Sequence, residues 1–343
     1  HPQQAVIVVV IVSSLASWLN WGFGLVVGAI LATELAKSGK KFPFRLMIAA
    51  AYSSFILWHG GLSGSIPFLL NTPGNFSESI AGGVISLSQT TFSTFNIALT
   101  CCVFFGLLFT NWLLFHLTNA ENLMVEASLK PENSPLNTSA TKLELNPWLP
   151  WITGVFGLGF IVQQFLVESF RLDLNTINFM LIFIGLIAHG PLKSFLRSVQ
   201  DGAEKVGPIL IQYPFYAGIM ALLTESGLAT MISQFFVDIA SAKTFPLLTF
   251  LSAGLVNIFV PSGGGQWVIQ GPIVLPAAFD LQADLTKSIM AVAWGDAWTN
   301  LLQPFWALPL LAIAGLKIKD IMGFGLINLV VSGLIISSFL LFW

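Results

Sequence analysis

The sequence predicts an all-α polytopic membrane protein with inverted-topology repeats, two re-entrant hairpins and two interrupted transmembrane helices. Three observations predict it. Only 9% of the 343 residues are charged and 55% are hydrophobic, with a mean hydropathy of +0.82, where a soluble domain carries roughly 25% charged residues. Long stretches contain no Asp, Glu, Lys or Arg, among them His1 to Thr33, Ser79 to Ala120, Thr244 to Phe279 and Ile321 to Trp343; about 20 apolar residues suffice to cross about 30 Å of hydrocarbon. Two of these stretches are broken near their centres by Asn, Gly or Pro, and backbone of that kind at membrane depth must line a cavity or pack against protein. Composition therefore excludes a nucleic-acid binder, a disordered chain and almost any soluble enzyme. Cys101 and Cys102 are adjacent in an apolar run, which offers neither a disulfide framework nor a metal site.

The elements follow in order. A first, incomplete repeat covers 1–118. Its hairpin, 5–36, is broken at Asn20-Trp21-Gly22-Phe23-Gly24 and opens to the cytoplasm. The abrupt apolar start has no basic n-region and predicts upstream helices rather than a signal peptide. A crossing at 43–70 contains Trp58-His59-Gly60-Gly61-Leu62-Ser63-Gly64, an outside loop runs to about residue 92, and a helix at 93–118 returns. A polar cytoplasmic loop occupies 119–148. The second repeat, 149–343, begins with helices at 149–170 and 174–190. A basic amphipathic stretch, 192–206, lies on the inner surface and precedes a separate outward crossing that holds Pro208 and Pro214. An interfacial segment at 226–242 leads to the second hairpin, 246–279, broken at Pro261-Ser262-Gly263-Gly264-Gly265 and opening outward. A crossing at 286–315 and a last helix at 321–343 complete the chain.

The basic residues support this threading. Lys37, Lys40, Lys41, Arg45, Lys130, Lys142, Lys193, Arg197, Lys205, Lys317 and Lys319 fall on one side, and only Arg171, Lys243 and Lys287 on the other, a strong positive-inside bias. Reading either hairpin as a single crossing destroys the separation. The halves also share an order: a broken hairpin, then a small-residue helix interrupted in its middle. Ala49-Ala50-Ala51-Tyr52 leads to Pro67 at the same separation as Ala291-Val292-Ala293-Trp294 leads to Pro309. The threading makes these two helices antiparallel, the pattern of an inverted repeat.

Two breaks per half predict a polar site between the halves. At the second tip, Ser262, Gly263, Gly264, Gly265 and Gln266 let a ligand approach backbone amides, and the positive end of a helix favours an anion there. Asn257 and Gln270 add side-chain donors and acceptors on the two arms. At the first tip, Asn20 and Gly22 sit between aromatic rings. His59 and Ser63, in a glycine-rich run no continuous helix would choose, complete the predicted substrate set. Asp296 is the one acid deep inside a span, with Thr299, Asn300 and Gln303 following at helical spacing. An Asp at mid-helix costs about 2.5–3.5 kcal/mol on insertion scales, so Asp296, Asn300 and Gln303 are expected to hold a coupling cation. No Lys or Arg lies within a span, so an anionic ligand must be met by backbone dipoles, hydroxyls, His59 or a co-bound cation.

At these motifs the sequence resembles the bacterial short-chain fatty acid transporters. The resemblance is carried by Asn20-Trp21-Gly22-Phe23-Gly24-Leu25-Val26-Val27-Gly28, Trp58 to Ser65, Tyr213-Pro214-Phe215-Tyr216-Ala217-Gly218-Ile219, Val260 to Pro272, and Gln303-Pro304-Phe305-Trp306-Ala307-Leu308-Pro309. It covers essentially the whole chain, and members of the family carry further residues at the N-terminus. It implies uptake of small monocarboxylates such as acetoacetate or butyrate through the bacterial inner membrane, coupled to an ion gradient; Na+ or H+ is the coupling ion expected, with no cofactor. The partners expected are the carboxylate, the bilayer and a possible second copy in a homodimer, and no nucleic acid. Competing readings are a carrier of dicarboxylates or other small anions, a passive channel, and an intramembrane enzyme. The last lacks a second membrane Asp, a Glu-x-x-His companion for His59, and a base paired with Ser262.

Overall fold

The computed structural model describes residues 2–37, 42–118, 145–167 and 174–343, all of them helical or irregular with no strand. Lys40, Lys41, Lys130, Lys142, Arg171 and nearly all of the predicted polar loop lie outside the described residues. Four described helices are long and apolar enough to cross a membrane: Pro2–Leu19, Thr94–Leu117, Trp148–Leu166 and Met322–Phe342. The chain forms two compact units, His1–Val125 with Pro208–Trp343, and Glu126–Gly207. The first unit thus draws on both halves of the sequence and holds every candidate residue.

In that unit α1 (Pro2–Leu19) and α2 (Trp21–Lys37) form a helical hairpin with Asn20 at the turn. The arms approach closely because glycines face serines: a Cβ on Gly24 would collide with Ser17, and one on Gly28 would lie 2.9 Å from Ala51 Cβ. Next, α3 (Phe44–Ser53) tightens into a 3-10 turn over Ser54–Trp58, opens at 59–64, and resumes as α4 (Ser65–Leu70). A short α5 (Glu78–Ala81) precedes α6 (Thr94–Leu117), whose first turn is capped by Ser93 accepting from Asn96 N–H.

The second unit contains α7 (Trp148–Val167) and α8 (Leu174–His189). Gly154 and Gly157 let α7 seat on Phe183 and Ile187 of α8. The helix that follows, α9, runs unbroken over Leu192–Glu225, which corrects the expected division into a surface helix and a separate crossing. Pro208 and Pro214 lie inside it; a proline removes one donor but holds φ near the helical value, and long membrane helices accommodate that loss.

In the first unit again, α10 (Leu228–Asp238) packs on a second hairpin of α11 (Phe245–Asn257) and α12 (Gly263–Asp280). Carboxamides zip these helices together: Gln266 Nε2 donates to Ala253 O at 2.8 Å and to Gln270 Oε1 at 2.8 Å, and Gln270 Nε2 donates to Ser233 Oγ and Ser252 Oγ at 3.0 and 3.2 Å. Then α13 (Leu285–Thr299) tightens into a 3-10 turn, Asn300–Leu302. Gln303 is extended, and α14 (Pro304–Ala314) restarts with proline at its first position. The last helix, α15 (Met322–Phe342), packs on α6 through a buried pair, Asn111 Nδ2 to Asn328 Oδ1 at 3.1 Å.

Both interruptions predicted in the apolar crossings are therefore present, and each is tied to the opposite half. Tyr52 on α3 donates its hydroxyl to Asn300 O at 2.5 Å and reaches Gln303 O at 2.9 Å. Trp294 on α13 donates to Asn96 Oδ1 at 2.9 Å, and Asn96 Nδ2 donates to Gly60 O at 2.9 Å. An aromatic residue of each half thus ties the two breaks together, Tyr52 directly to backbone carbonyls of the second and Trp294 through Asn96 to Gly60 O of the first. Removing one such hydroxyl while keeping the ring costs about 1–3 kcal/mol where it strips a buried carbonyl of its donor. Tyr52→Phe is accordingly expected to lower the thermal unfolding midpoint in detergent, and an unchanged midpoint would mean the hydroxyl does not hold the second break.

Candidate substrate and cation site

The site is built where the four irregular segments converge. From the first hairpin, Trp18 O accepts from Leu62 N–H at 2.7 Å, and Trp21 N–H donates to Ser63 Oγ at 2.9 Å. From the second hairpin, Gly263 rests on the same break: a Cβ there would lie 2.5 Å from His59 Cε1 and would collide with Ser65 Oγ. The two tips, far apart in sequence, therefore meet on residues 59–65. The contacts are reciprocal, because the first tip also reaches the second interrupted helix, with Trp21 edge-on to Trp306 at 5.3 Å between ring centroids.

At the centre His59 Nδ1 lies 2.8 Å from Asp296 Oδ2, and both side chains are buried, at 0% and 1% exposure. Ile66 N–H donates to His59 Nε2 at 3.2 Å. A ring nitrogen that accepts carries no hydrogen, so this contact assigns the hydrogen to Nδ1, which donates to the carboxylate. Trp58 stacks on the imidazole at 4.0 Å between centroids and holds its plane. Asp296 is the one carboxylate buried among the described residues, and no Lys or Arg is buried with it.

Around the carboxylate, Asn257 at the end of α11 reaches the second break. Its Nδ2 lies 2.8 Å from Asp296 O, 2.9 Å from Thr299 Oγ1 and 2.8 Å from Asn300 Oδ1. Gln303 Nε2 donates to Asn257 O. Three oxygens are left buried without a hydrogen-bond partner: Asp296 Oδ1, Asn257 Oδ1 and Gln303 Oε1. Buried, unpaired oxygens on one carboxylate and two carboxamides are costly, and they are the hard donors a monovalent cation or a proton accepts. The chemistry of these oxygens, one carboxylate and two carboxamides, suits a cation.

The predicted residues divide by what they touch. Ser262, Gly263, Gly264 and Gly265 form the first turn of α12, with Ser262 Oγ capping Gly265 N–H at 3.3 Å. Ser262 is exposed and Gly264 and Gly265 are half-buried, so the positive end of this helix is not sealed by the protein's own side chains. His59, Asp296, Asn257, Asn300 and Gln303 form one connected group. Asn20 Oδ1 caps α2 by accepting from Phe23 N–H at 3.0 Å, beside Gly22 at the same tip. Ser63 ties the first tip to the break. Gln266 and Gln270 join the hairpin arms, although Gln266 Oε1 has no partner. Three contributors were not singled out for the site in the sequence: Tyr52, Asn96 and Ser65. Asn96, a carboxamide in the first turn of a mostly apolar helix, carried the signal that could have revealed one of them. A cavity of about 240 Å³ between α1, Leu57 and α6 is lined mainly by apolar residues and includes none of the predicted site residues.

A family profile described as short chain fatty acid transporter matches residues 1–343. A relative from Escherichia coli (strain K12), described as "Putative short-chain fatty acid transporter", is 43% identical over 343 residues, covering 97% of this chain and 77% of its own. A relative from Haemophilus influenzae with the same description is 41% identical over 336 residues, covering 94% of this chain and 75% of its own. No solved structure matches the chain significantly. Profile and relatives together span the hairpins, both breaks and the His59–Asp296 pair, and the chain belongs to the short-chain fatty acid transporter family.

Proposed function

We propose that the protein is a secondary transporter that carries short monocarboxylates, such as acetoacetate or butyrate, across the bacterial inner membrane together with a monovalent cation, Na+ or H+. The observation that carries this reading is the buried His59–Asp296 pair, joined to two unpartnered carboxamide oxygens, at the place where both hairpin tips and both helix breaks meet. The first turn of α12 and the hydroxyls of Ser65 and Ser262 receive the carboxylate. Asp296, Asn257 and Gln303 receive the cation. The hairpins are read as re-entrant and the halves as an inverted repeat, which the reciprocal contacts of Tyr52 and Trp294, and of Trp21 and Gly263, support. A carrier built this way exposes its central site to one face and then the other by moving one part against the rest.

Dicarboxylates fit less well, because no Arg or Lys buried among the described residues offers a second anion a partner. Reconstituted full-length protein is expected to take up labelled acetoacetate or butyrate faster than protein-free vesicles do, and to lose that excess when the driving cation gradient is collapsed. Uptake indifferent to both the sodium and the proton gradient would identify a channel instead, and preferential uptake of succinate would overturn the monocarboxylate assignment.

A further inference from the structure

We infer that the cavity between α1, Leu57 and α6 is a second binding site, which takes a short, uncharged amphiphile: an alkyl chain of a few carbons ending in a hydroxyl-type head. It is separate from the carboxylate and cation site and does not depend on the transport reading. The cavity measures about 240 Å³, and a ~150 Å³ apolar cavity in a protein interior already takes up a molecule the size of benzene. Leu15, Leu57, Ile97 and Phe104 form most of its wall. Leu15 and Ile97 remain exposed, so the cavity is reached from the surface of the unit.

Three lining residues, Ser14, Thr91 and Thr100, carry hydroxyls, and all three hydroxyl oxygens are buried without a hydrogen-bond partner. Each such group costs desolvation that a partner would return, and folded proteins keep few of them. Asn96, in the same wall, is already engaged: its Nδ2 donates to Gly60 O and Thr91 O at 2.9 and 2.8 Å, and its Oδ1 accepts from Trp294. Water alone would meet the hydroxyls and leave the apolar wall wet. A hydrocarbon would cover the wall and leave the hydroxyls unmet. A molecule with an alkyl body and one polar head answers both. No Asp, Glu, Lys, Arg or His lines the cavity, and a charged head would be buried there without a counter-charge, so the head is neutral.

The wall is backed by the first helix break. A Cβ on Gly60 would lie 3.2 Å from both Asn96 Oδ1 and Thr100 Oγ1. Asn96 is also the residue that joins Gly60 O to Trp294, so an occupant lies against the link between the two breaks.

Two neighbouring thiols supply the test. Cys101 lines the cavity, whereas Cys102 faces a separate groove with Leu334 and Ile335 of α15, and both are exposed. Full-length Cys102→Ala and Cys101→Ala proteins in lipid nanodiscs would each be treated with methyl methanethiosulfonate, a small uncharged thiol reagent, and the modification rate followed by mass spectrometry. The probe is n-butanol, with n-butylammonium at the same concentrations as the charged control. Butanol is expected to slow modification of Cys101 saturably, about tenfold at ten times the half-protecting concentration, and to leave Cys102 unchanged; butylammonium is expected to protect neither. Ile97→Trp, which puts a larger side chain into the cavity, is expected to abolish the protection of Cys101. A Cys101 rate indifferent to butanol, equal slowing of both thiols, slowing that never saturates, equal protection by butylammonium, or full protection in Ile97→Trp would each overturn the site. None of these readouts involves uptake, so their failure leaves the transport reading standing.

Discussion

Replacing Asp296 by Asn is expected to abolish cation-dependent uptake while leaving the protein folded. Asn keeps the volume of Asp and can accept from His59 Nδ1–H through its own carbonyl, so the contact between the halves at 2.8 Å survives. What disappears is the only buried carboxylate among the described residues. A neutral amide cannot bind a proton at ordinary pH, and it meets a sodium ion with a dipole where a full charge stood. Loss of a supporting hydrogen bond alone costs a metal site roughly 10–100-fold in affinity; removing the charge itself is expected to cost at least as much. The check is labelled uptake, with and without the cation gradient, in wild type and variant matched for folded protein by thermal unfolding. A variant that still responds to the gradient would place the coupling ion elsewhere.

The second large effect concerns two neighbouring glycines with opposite surroundings. A methyl group on Gly263 meets His59 Cε1 at 2.5 Å and the Ser65 hydroxyl closer still, whereas one on Gly264 meets nothing within 4 Å. Gly263→Ala must therefore push the tip of α12 off the first break, and a displacement of about 1 Å at a positioned site costs on the order of 100-fold in rate. Gly264→Ala, whose methyl group meets no protein atom, is expected to lose less uptake and to fold equally well. Measuring both side by side separates geometry from a general intolerance of the loop. Equal losses, or a larger loss at Gly264, would show that Gly263 does not seat the tip on His59.

Much of this arrangement was legible in the residues themselves, for a physical reason. Lipid gives backbone no hydrogen bonds, so Gly60, Gly61 and Gly64 around His59 mark irregular chain packed within protein, and the three successive glycines after Ser262 mark the tip where α12 begins. A lone Asp296 in an apolar helix is costly enough to require a partner. That reasoning located both breaks, both tips and the acid. It did not pair Asp296 with His59, because the two are 237 residues apart and nothing local links them. Nor did it separate the roles of polar side chains on the same hairpin: Gln270 and Asn257 are alike in type, yet one joins α12 to α10 and α11 and the other reaches into the second break. Pro208 and Pro214 misled in the other direction, since proline in a long helix removes donors without ending it. Asn96 shows the limit most plainly. Its two amide ends bridge Trp294 to Gly60, a role that exists only once three separate helices are in place.

Cross-linking across the two halves tests most directly whether the second hairpin tip and the first helix break share one site. With Cys101 and Cys102 replaced, cysteines at Ser65 and Ser262 would be treated in membranes with a short, cleavable thiol cross-linker. The contact of Gly263 with Ser65 predicts rapid intramolecular cross-linking that is reversed when the linker is cleaved. Cysteines that each react singly but never join to one another would contradict it.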